Sequence, residues 1–284
     1  MKFNKLHFGT AGFGGSDLSI PQNSKNPTAD AILELSKISL SALEIEFVRQ
    51  VYLKRSSPEK IQEIKENSIN KNIALSIHAP YFINLNSNEE QKVINSHRYI
   101  LDSLNVGQEI NANVVVVHVG YFLKTEPKIA LENVQKEIEL IFEKTNSKTV
   151  FGAETVGKKT QIGSLEEVLY LYDHLDKKRF LPVIDFAHLH ARENGLFKDP
   201  KEITKVFDKL KSYPDILNRM HIHMSGIEYG EKGERKHLLF KDADLPYKQI
   251  LEKLKENDVK GTIICESPET IKDCLFLKKE WEKI

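Results

Sequence analysis

Seven residues of types that bind metal ions stand at or just after the ends of short apolar segments. An apolar segment that ends at a histidine or a carboxylate is unremarkable once, but here the pattern recurs along the chain. If the segments are strands of one sheet, these side chains surround a single rim. Crowded, unpaired charges repel and are costly to desolvate, so the pattern predicts bound cations. The seven residues are His78, His118, Glu154, Asp185, His188, His221 and Glu266.

The mixture of ligand types indicates which ions these are. Imidazole nitrogen with carboxylate oxygen suits zinc or a similar borderline cation better than Mg²⁺, which prefers oxygen and keeps its water. Seven ligands are more than one ion can use, so two or three ions sharing a bridging carboxylate is the economical interpretation. Clustered divalent ions suit phosphate-ester hydrolysis, because they bind phosphate oxygens, activate water and stabilise the leaving oxygen.

The elements that position these residues are eight apolar segments alternating with eight segments of helical spacing. The apolar segments do not alternate with polar residues, as expected of a parallel sheet buried on both faces. Eight βα units predict an α/β fold, a single (β/α)8 TIM barrel domain over residues 1–284, with the metal site at the C-terminal ends of the strands. An open, doubly wound sheet is the alternative. The predicted strands are 6–9, 42–47, 74–78, 113–117, 149–154, 181–185, 219–223 and 261–266.

Composition and charge limit the possible partners. Lys+Arg and Asp+Glu both count 41, so the formal net charge is zero and any DNA-binding face must be a local patch. The N-terminus carries no apolar signal segment, and no apolar run is long enough to cross a bilayer. The cysteines, Cys265 and Cys274, lack a metal-binding spacing and do not suggest a disulfide framework. We therefore expect a cytoplasmic monomer without a membrane partner.

The strand ends resemble the endonuclease IV family of apurinic/apyrimidinic endonucleases, which are zinc enzymes of the xylose-isomerase-like TIM barrel superfamily. The resemblance covers nearly the whole chain, and six motifs occur in the order of the family. They are H-A-P-Y-F-I-N-L at 78–85, V-V-V-H-V-G at 115–120, A-E-T at 153–155, I-D-F-A-H at 184–188, R-M-H at 219–221 and C-E-S at 265–267.

Carried over residue by residue, the resemblance implies two zinc ions bridged by Glu154. The first would also be bound by His78 and His118. The second would be bound by ligands from three further strand ends, namely Asp185, His221 and Glu266. Glu154 and Glu266 would then be the catalytic carboxylates of the site. His190 and His223 neighbour assigned ligands and are expected in a supporting or loop role.

The resemblance also implies a substrate and a reaction. The family hydrolyses the phosphodiester 5′ to abasic sites in double-stranded DNA, so the chain is expected to be a DNA-repair endonuclease. Tyr81 and Phe82 match positions that intrude beside the flipped-out abasic nucleotide. Arg49, in F-V-R-Q, matches an arginine used in the same way.

Two departures from the family pattern concern the loops. The family completes a third zinc site, to which His188 would belong, with D-R-H; here the loop reads G-E-R-K-H at 233–237. If Glu234 replaces the aspartate, Lys236 falls where the histidine belongs; if His237 keeps its register, Arg235 replaces the aspartate. Either Glu234 and His237 bind together in an altered loop, or the third site is weak or absent. In addition, G-A-H-V-S after strand one is replaced by G-T-A-G-F at 9–13, so a histidine of the family is missing.

Two other functions remain open. A sugar isomerase or epimerase of the same barrel superfamily would bind one or two Mn²⁺, Co²⁺ or Mg²⁺ ions through carboxylate-rich sites. Four histidines among the seven candidates argue against it, whereas the altered loop and the zero net charge favour it. The second alternative is a catalytically weak relative that binds damaged DNA without cleaving it efficiently.

Overall fold

A computed structural model describes residues 3–13 and 18–284, in which eight parallel strands form a closed barrel. The predicted (β/α)8 barrel is confirmed, and the open doubly wound alternative is wrong. Each predicted strand is present, with ends within two residues of those expected. The barrel strands are β1 Leu6–Ala11, β2 Ala42–Glu46, β3 Ala74–His78, β4 Val114–Val117, β5 Val150–Glu154, β6 Phe180–Asp185, β7 Met220–Met224 and β10 Gly261–Cys265.

Helices surround the barrel and begin at recognisable signals. Several carry proline in the first turn, where the missing N–H has no intrahelical partner to lose. At α5 the Ser164 hydroxyl accepts from the Glu167 N–H, and the Glu167 carboxylate accepts from the Ser164 N–H. The helices are α1 Pro27–Lys37, α2 Pro58–Lys71, α3 Glu90–Glu109, α4 Pro127–Glu143, α5 Leu165–His174, α6 Phe186–Arg192, α7 Pro200–Lys211, α8 Pro214–Leu217, α9 Tyr247–Glu256 and α10 Thr270–Lys283.

Alternation along the strands divides the core into two layers. On β2, Leu43 and Ile45 point outward into the large apolar cluster between barrel and helices. Ala42 lies in a small cluster of its own with residues of β3 and β10. The next two residues on that face are Glu44 and Glu46. Toward the C-terminal end of the barrel, this face of β2 therefore carries carboxylates instead of apolar side chains. No described helix is both long and apolar enough to span a membrane.

An antiparallel hairpin that the sequence did not predict follows β7. Its strands are β8 Gly226–Gly230 and β9 Gly233–Leu238, and they are paired with one irregularity. Tyr229 lies opposite Glu234, but Glu228 lies opposite Lys236, so Arg235 is an extra residue of a β-bulge. Because the bulge adds one residue to β9, the side chains beyond it point to the opposite face from the one they would have in a regular strand.

The hairpin is held against the loop that follows β5. The Glu234 N–H donates to the Gly157 carbonyl at 3.0 Å, and Gly233 forms a bridge with Lys158. Gly233 has φ +92°, and a Cβ there would lie 2.1 Å from the Gly157 carbonyl oxygen. Glycine at 233 is therefore required both by the backbone conformation and by the close approach.

Candidate metal centre

The strand-end residues meet at the C-terminal rim of the barrel, and Glu154 lies at their centre. Its side chain is fully buried at the end of β5. Its Oε2 atom lies 3.3 Å from His78 Nε2 and 2.8 Å from His118 Nε2. These three residues form one group of potential ligands, as the resemblance implies.

The other oxygen of Glu154 faces a second group. Oε1 lies 3.1 Å from His223 Nδ1, and the same nitrogen lies 3.3 Å from Glu266 Oε1. Asp185 completes this group: its Oδ1 accepts the His188 N–H at the start of α6, while its buried Oδ2 has no hydrogen-bond partner among the described residues. Glu154 thus has the geometry of a carboxylate shared by two groups.

The histidine in this second group differs from the expectation. The resemblance assigns the place to His221, but the structure puts His223 there and takes His221 deeper into the barrel. His221 Nε2 lies 2.9 Å from Glu44 Oε2, and its Nδ1 lies 2.6 Å from the Thr262 hydroxyl. The two histidines lie on the same face of β7 because they are two residues apart, so the motif R-M-H identified the strand but not the residue that reaches the rim.

A third group joins α6 to the hairpin. His188 Nε2 lies 3.5 Å from Glu234 Oε2 and 3.4 Å from His237 Nε2. Glu234 and His237 are three residues apart and would point to opposite faces of a regular strand. The bulge at Arg235 brings both to the same face, so the altered loop motif still presents two potential ligands.

Neither of the other two loop residues enters this group. Arg235 Nη1 lies 3.4 Å and Lys236 Nζ 3.3 Å from the Glu228 carboxylate, on the solvent-facing side of the hairpin. The geometry therefore places Glu234 and His237, and neither Arg235 nor Lys236, beside His188.

Three of the histidines are oriented by backbone carbonyls. His78 Nδ1 lies 2.8 Å from the Ala79 oxygen, His188 Nδ1 2.9 Å from the Thr155 oxygen, and His237 Nδ1 2.9 Å from the Glu266 oxygen. A carbonyl only accepts, so each Nδ1 carries a proton, and a ring with a single proton presents an unprotonated Nε2 to its group. Nitrogen lone pairs then face carboxylate oxygens, which is the donor set of a divalent cation.

The pKa values of the rim histidines reflect two opposing effects, burial and the negative charge of the nearby carboxylates. Burial alone would lower the pKa of His78, but Glu154 and Glu46 outweigh it and raise that pKa to about 10. Burial lowers the pKa of His118 despite its contact with Glu154. Protons and metal ions therefore compete for the same nitrogens.

Two glutamates of β2, the fully buried Glu44 and the partly buried Glu46, were missed by the sequence analysis. Glu44 contacts His221 and His223 beneath the rim. Burial raises the pKa of Glu46 to about 7, and its Oε1 has no hydrogen-bond partner among residues 3–13 and 18–284. The available signal was A-L-E-I-E, in which two carboxylates alternate with apolar residues on a strand that should be buried on both faces.

Aromatic side chains stand beside the rim. Tyr81 and Phe82, in the turn after β3, are 45% and 63% exposed. The Tyr81 ring lies 5.0 Å from the ring of His78 and 5.8 Å from that of His118. Arg49 is exposed after β2, in a turn linked to this one by the Tyr81 N–H and the Val48 carbonyl.

Comparison with known proteins gives matches over the whole barrel. Residues 32–281 match the family described as xylose isomerase-like TIM barrel. An uncharacterised protein of Methanocaldococcus jannaschii is 37% identical over 284 residues, which is 98% of both chains. A probable endonuclease 4 of Mycoplasma genitalium is 29% identical over 213 residues, which is 73% of this chain and 71% of the relative.

Solved structures of proteins named for different activities share this fold. A D-tagatose 3-epimerase-like protein has a TM-score of 0.72 at 21% identity, covering 98% of this chain and 96% of its own. Endonuclease IV from Thermus thermophilus has a TM-score of 0.69 at 19% identity, covering 98% of both chains. At these identities the likeness concerns the fold alone.

Metal binding should release protons. Because the carboxylates raise the pKa of His78 to about 10, that ring holds a second proton at neutral pH, and a bound ion must displace it. Affinity should therefore rise as the pH rises from about 6 to 8. Calorimetric zinc titrations in buffers of different ionisation enthalpy measure the protons released; an affinity that does not vary with pH, with no proton release, would contradict this.

The hairpin group should bind its ion independently of the other two. His237→Ala removes one of its three ligands and should lower the zinc content by one ion per chain, with the remaining ions retained. Lys236→Ala is the matched control, because the Lys236 side chain contacts Glu228 and not the ligand group. Metal analysis after gel filtration gives the count. Equal zinc content in the two variants would remove the hairpin from the centre.

Proposed function

Because the chain belongs to the xylose isomerase-like TIM barrel family, we propose that it is a zinc-dependent DNA-repair endonuclease. It hydrolyses the phosphodiester 5′ to abasic sites in double-stranded DNA. The observation that carries the proposal is the set of three adjoining ligand groups around Glu154 and His188, which together contain five histidines. The proposal includes a single domain over residues 1–284, acting as a monomer in the cytoplasm.

Two of the groups suit zinc in their donors. The first combines His78 and His118 with Glu154, and the third combines His188 and His237 with Glu234. Two imidazoles and one carboxylate form a donor set that borderline cations prefer and that Mg²⁺ does not. When bound, such clustered ions neutralise phosphate oxygens, activate water and stabilise the leaving oxygen.

The surface around the centre suits a duplex with a missing base. Tyr81 and Phe82 are exposed aromatic rings beside the ligands, and inserted side chains can fill the gap left when a nucleotide leaves the stack. The net charge is zero, so attraction to phosphates must be local. Exposed cations do lie in the loops after the strands on this face, namely Arg49, Lys124, Lys158, Lys232 and Lys236.

A sugar isomerase or epimerase is the second candidate, and one group of ligands favours it. Glu154, Asp185 and Glu266 with His223 form a carboxylate-rich set of the kind that binds Mn²⁺, Co²⁺ or Mg²⁺. The two histidine-rich groups argue against that function, because its metal sites are carboxylate-rich. Two to three zinc ions per chain, without epimerisation of ketohexoses, would exclude it; a single Mn²⁺ or Co²⁺ with such turnover would replace our proposal.

Cleavage should depend on the carboxylates that hold the ions. Glu266→Gln keeps the shape of the side chain but removes its charge from the second group. We expect incision of an abasic duplex to fall by about 100-fold or more, as when a group that stabilises a transition state is lost. Glu231→Gln, an exposed change in the hairpin turn, is the charge control. A wild-type protein that binds zinc and abasic DNA without incision would instead be the damage-binding relative.

Recognition should depend on the two aromatic residues. Tyr81→Ala with Phe82→Ala should weaken abasic-duplex binding and leave the zinc content unchanged, since neither residue is a ligand. Phe276→Ala is the control for the loss of an aromatic side chain. Phe276 lies on α10 and is 38% exposed. Fluorescence anisotropy with abasic and intact duplexes measures the effect. An unaltered preference for the abasic duplex would assign the two residues to packing alone.

A further inference from the structure

His223 lies between two sets of polar groups and presents one ring nitrogen to each. Nδ1 faces the rim, 3.1 Å from Glu154 Oε1 and 3.3 Å from Glu266 Oε1. Nε2 faces the barrel interior, 2.9 Å from Glu44 Oε1. A neutral imidazole carries one proton, so it can bind an ion through one nitrogen and donate a hydrogen bond through the other. The position of that proton decides where the ion binds.

The interior set is already occupied by hydrogen bonds. His221 Nε2 lies 2.9 Å from Glu44 Oε2, and the Thr262 hydroxyl lies 2.6 Å from His221 Nδ1. The hydroxyl can donate to Nδ1 while Nε2 donates to the carboxylate, so both nitrogens of a neutral His221 are used. The Oε1 atom of Glu44 is then free to accept from His223 Nε2.

We propose that Glu44 is a positioning residue: it accepts the Nε2 proton of His223 and so presents the unprotonated Nδ1 to an ion held with Glu154, Asp185 and Glu266. The inference rests on the metal-binding part of the function proposed above. Glu44 Oε1 and His223 Nε2 lie 2.9 Å apart, and neither buried atom has a hydrogen-bond partner elsewhere in the described ranges. Such partners of a metal-binding histidine fix its tautomer and strengthen it as a ligand.

The opposite arrangement would place the ion between Glu44, His221 and His223, whose ligand atoms are also close together. It would require protons on the Nδ1 atoms of both rings. It would also offer the ion one carboxylate instead of three and leave the buried Oδ2 of Asp185 with no hydrogen-bond partner among the described residues. The charges therefore favour the rim side of His223.

The first experiment locates the ion in the unaltered protein. Crystals of the zinc-loaded protein, measured on both sides of the zinc absorption edge, give anomalous peaks at the ion positions. We expect a peak bound to His223 Nδ1 together with Glu154, Asp185 and Glu266. A peak bound to His223 Nε2 and Glu44, or no peak within bonding distance of His223, would overturn the proposal.

The second experiment removes the positioning charge. Glu44→Gln should weaken the binding of one ion by about 10- to 100-fold, the usual effect of losing a partner of a metal-binding histidine. It should also alter the visible spectrum of the cobalt-substituted protein. Glu137→Gln is the matched control: it also removes a carboxylate that contacts a histidine, 2.7 Å from His97 Nε2, but this pair joins α4 to α3 and belongs to none of the ligand groups. Competition with a chromophoric chelator measures the affinity.

Equal zinc affinities of the wild-type protein and Glu44→Gln would overturn the proposal, as would an equal loss in both variants. If Glu44→Gln does not fold, the anomalous map of the wild-type protein still decides. Neither experiment contains DNA. A protein with the expected ion at Nδ1 that fails to cleave abasic DNA would therefore reject the proposed endonuclease and leave this inference standing.

Discussion

The burial of several carboxylates at one end of the barrel is the constraint on which the rest of the site depends. Glu154, Asp185 and Glu44 are each fully buried, and the cost of removing carboxylates from water is met only by paired positive charge. Imidazoles from neighbouring strands surround them and can supply that charge either as protonated rings or as ligands of metal ions. The barrel makes this possible because parallel strands end at a common rim, so residues distant in sequence converge.

The hairpin after β7 shows how two potential ligands can still face the same group after a change in the spacing of their motif. One more residue separates Glu234 from His237 than the family pattern has, and this would normally turn one of them away. The bulge accommodates the extra residue, and Glu228 pairs with both Arg235 and Lys236. Whether a loop can bind a metal ion therefore depends on which side of the hairpin its potential ligands face, and not only on their spacing in the sequence.

The family relationship explains why the fold alone does not identify the reaction. Barrels of closely similar shape carry names of both epimerases and endonucleases. The carboxylate-rich group around Asp185 and Glu266 is compatible with either chemistry. The groups that add histidines lie at the ends of β3, β4 and β5 and between α6 and the hairpin, on the face of the barrel where activities differ between members of one fold. The specific function must therefore be sought in those additions.

The sequence by itself determined the barrel, the strands and most of the rim, because continuous apolar segments ending at ligand residues leave few other folds. It did not distinguish His223 from His221, since alternate residues of a strand share a face, and their depth depends on how the strands are staggered around the barrel. Nor did it single out Glu44, whose histidine contacts lie on β7. The bulge at Arg235 likewise depends on pairing between two strands. These features were decided by the tertiary structure, because each is a relation between strands and not a property of one segment.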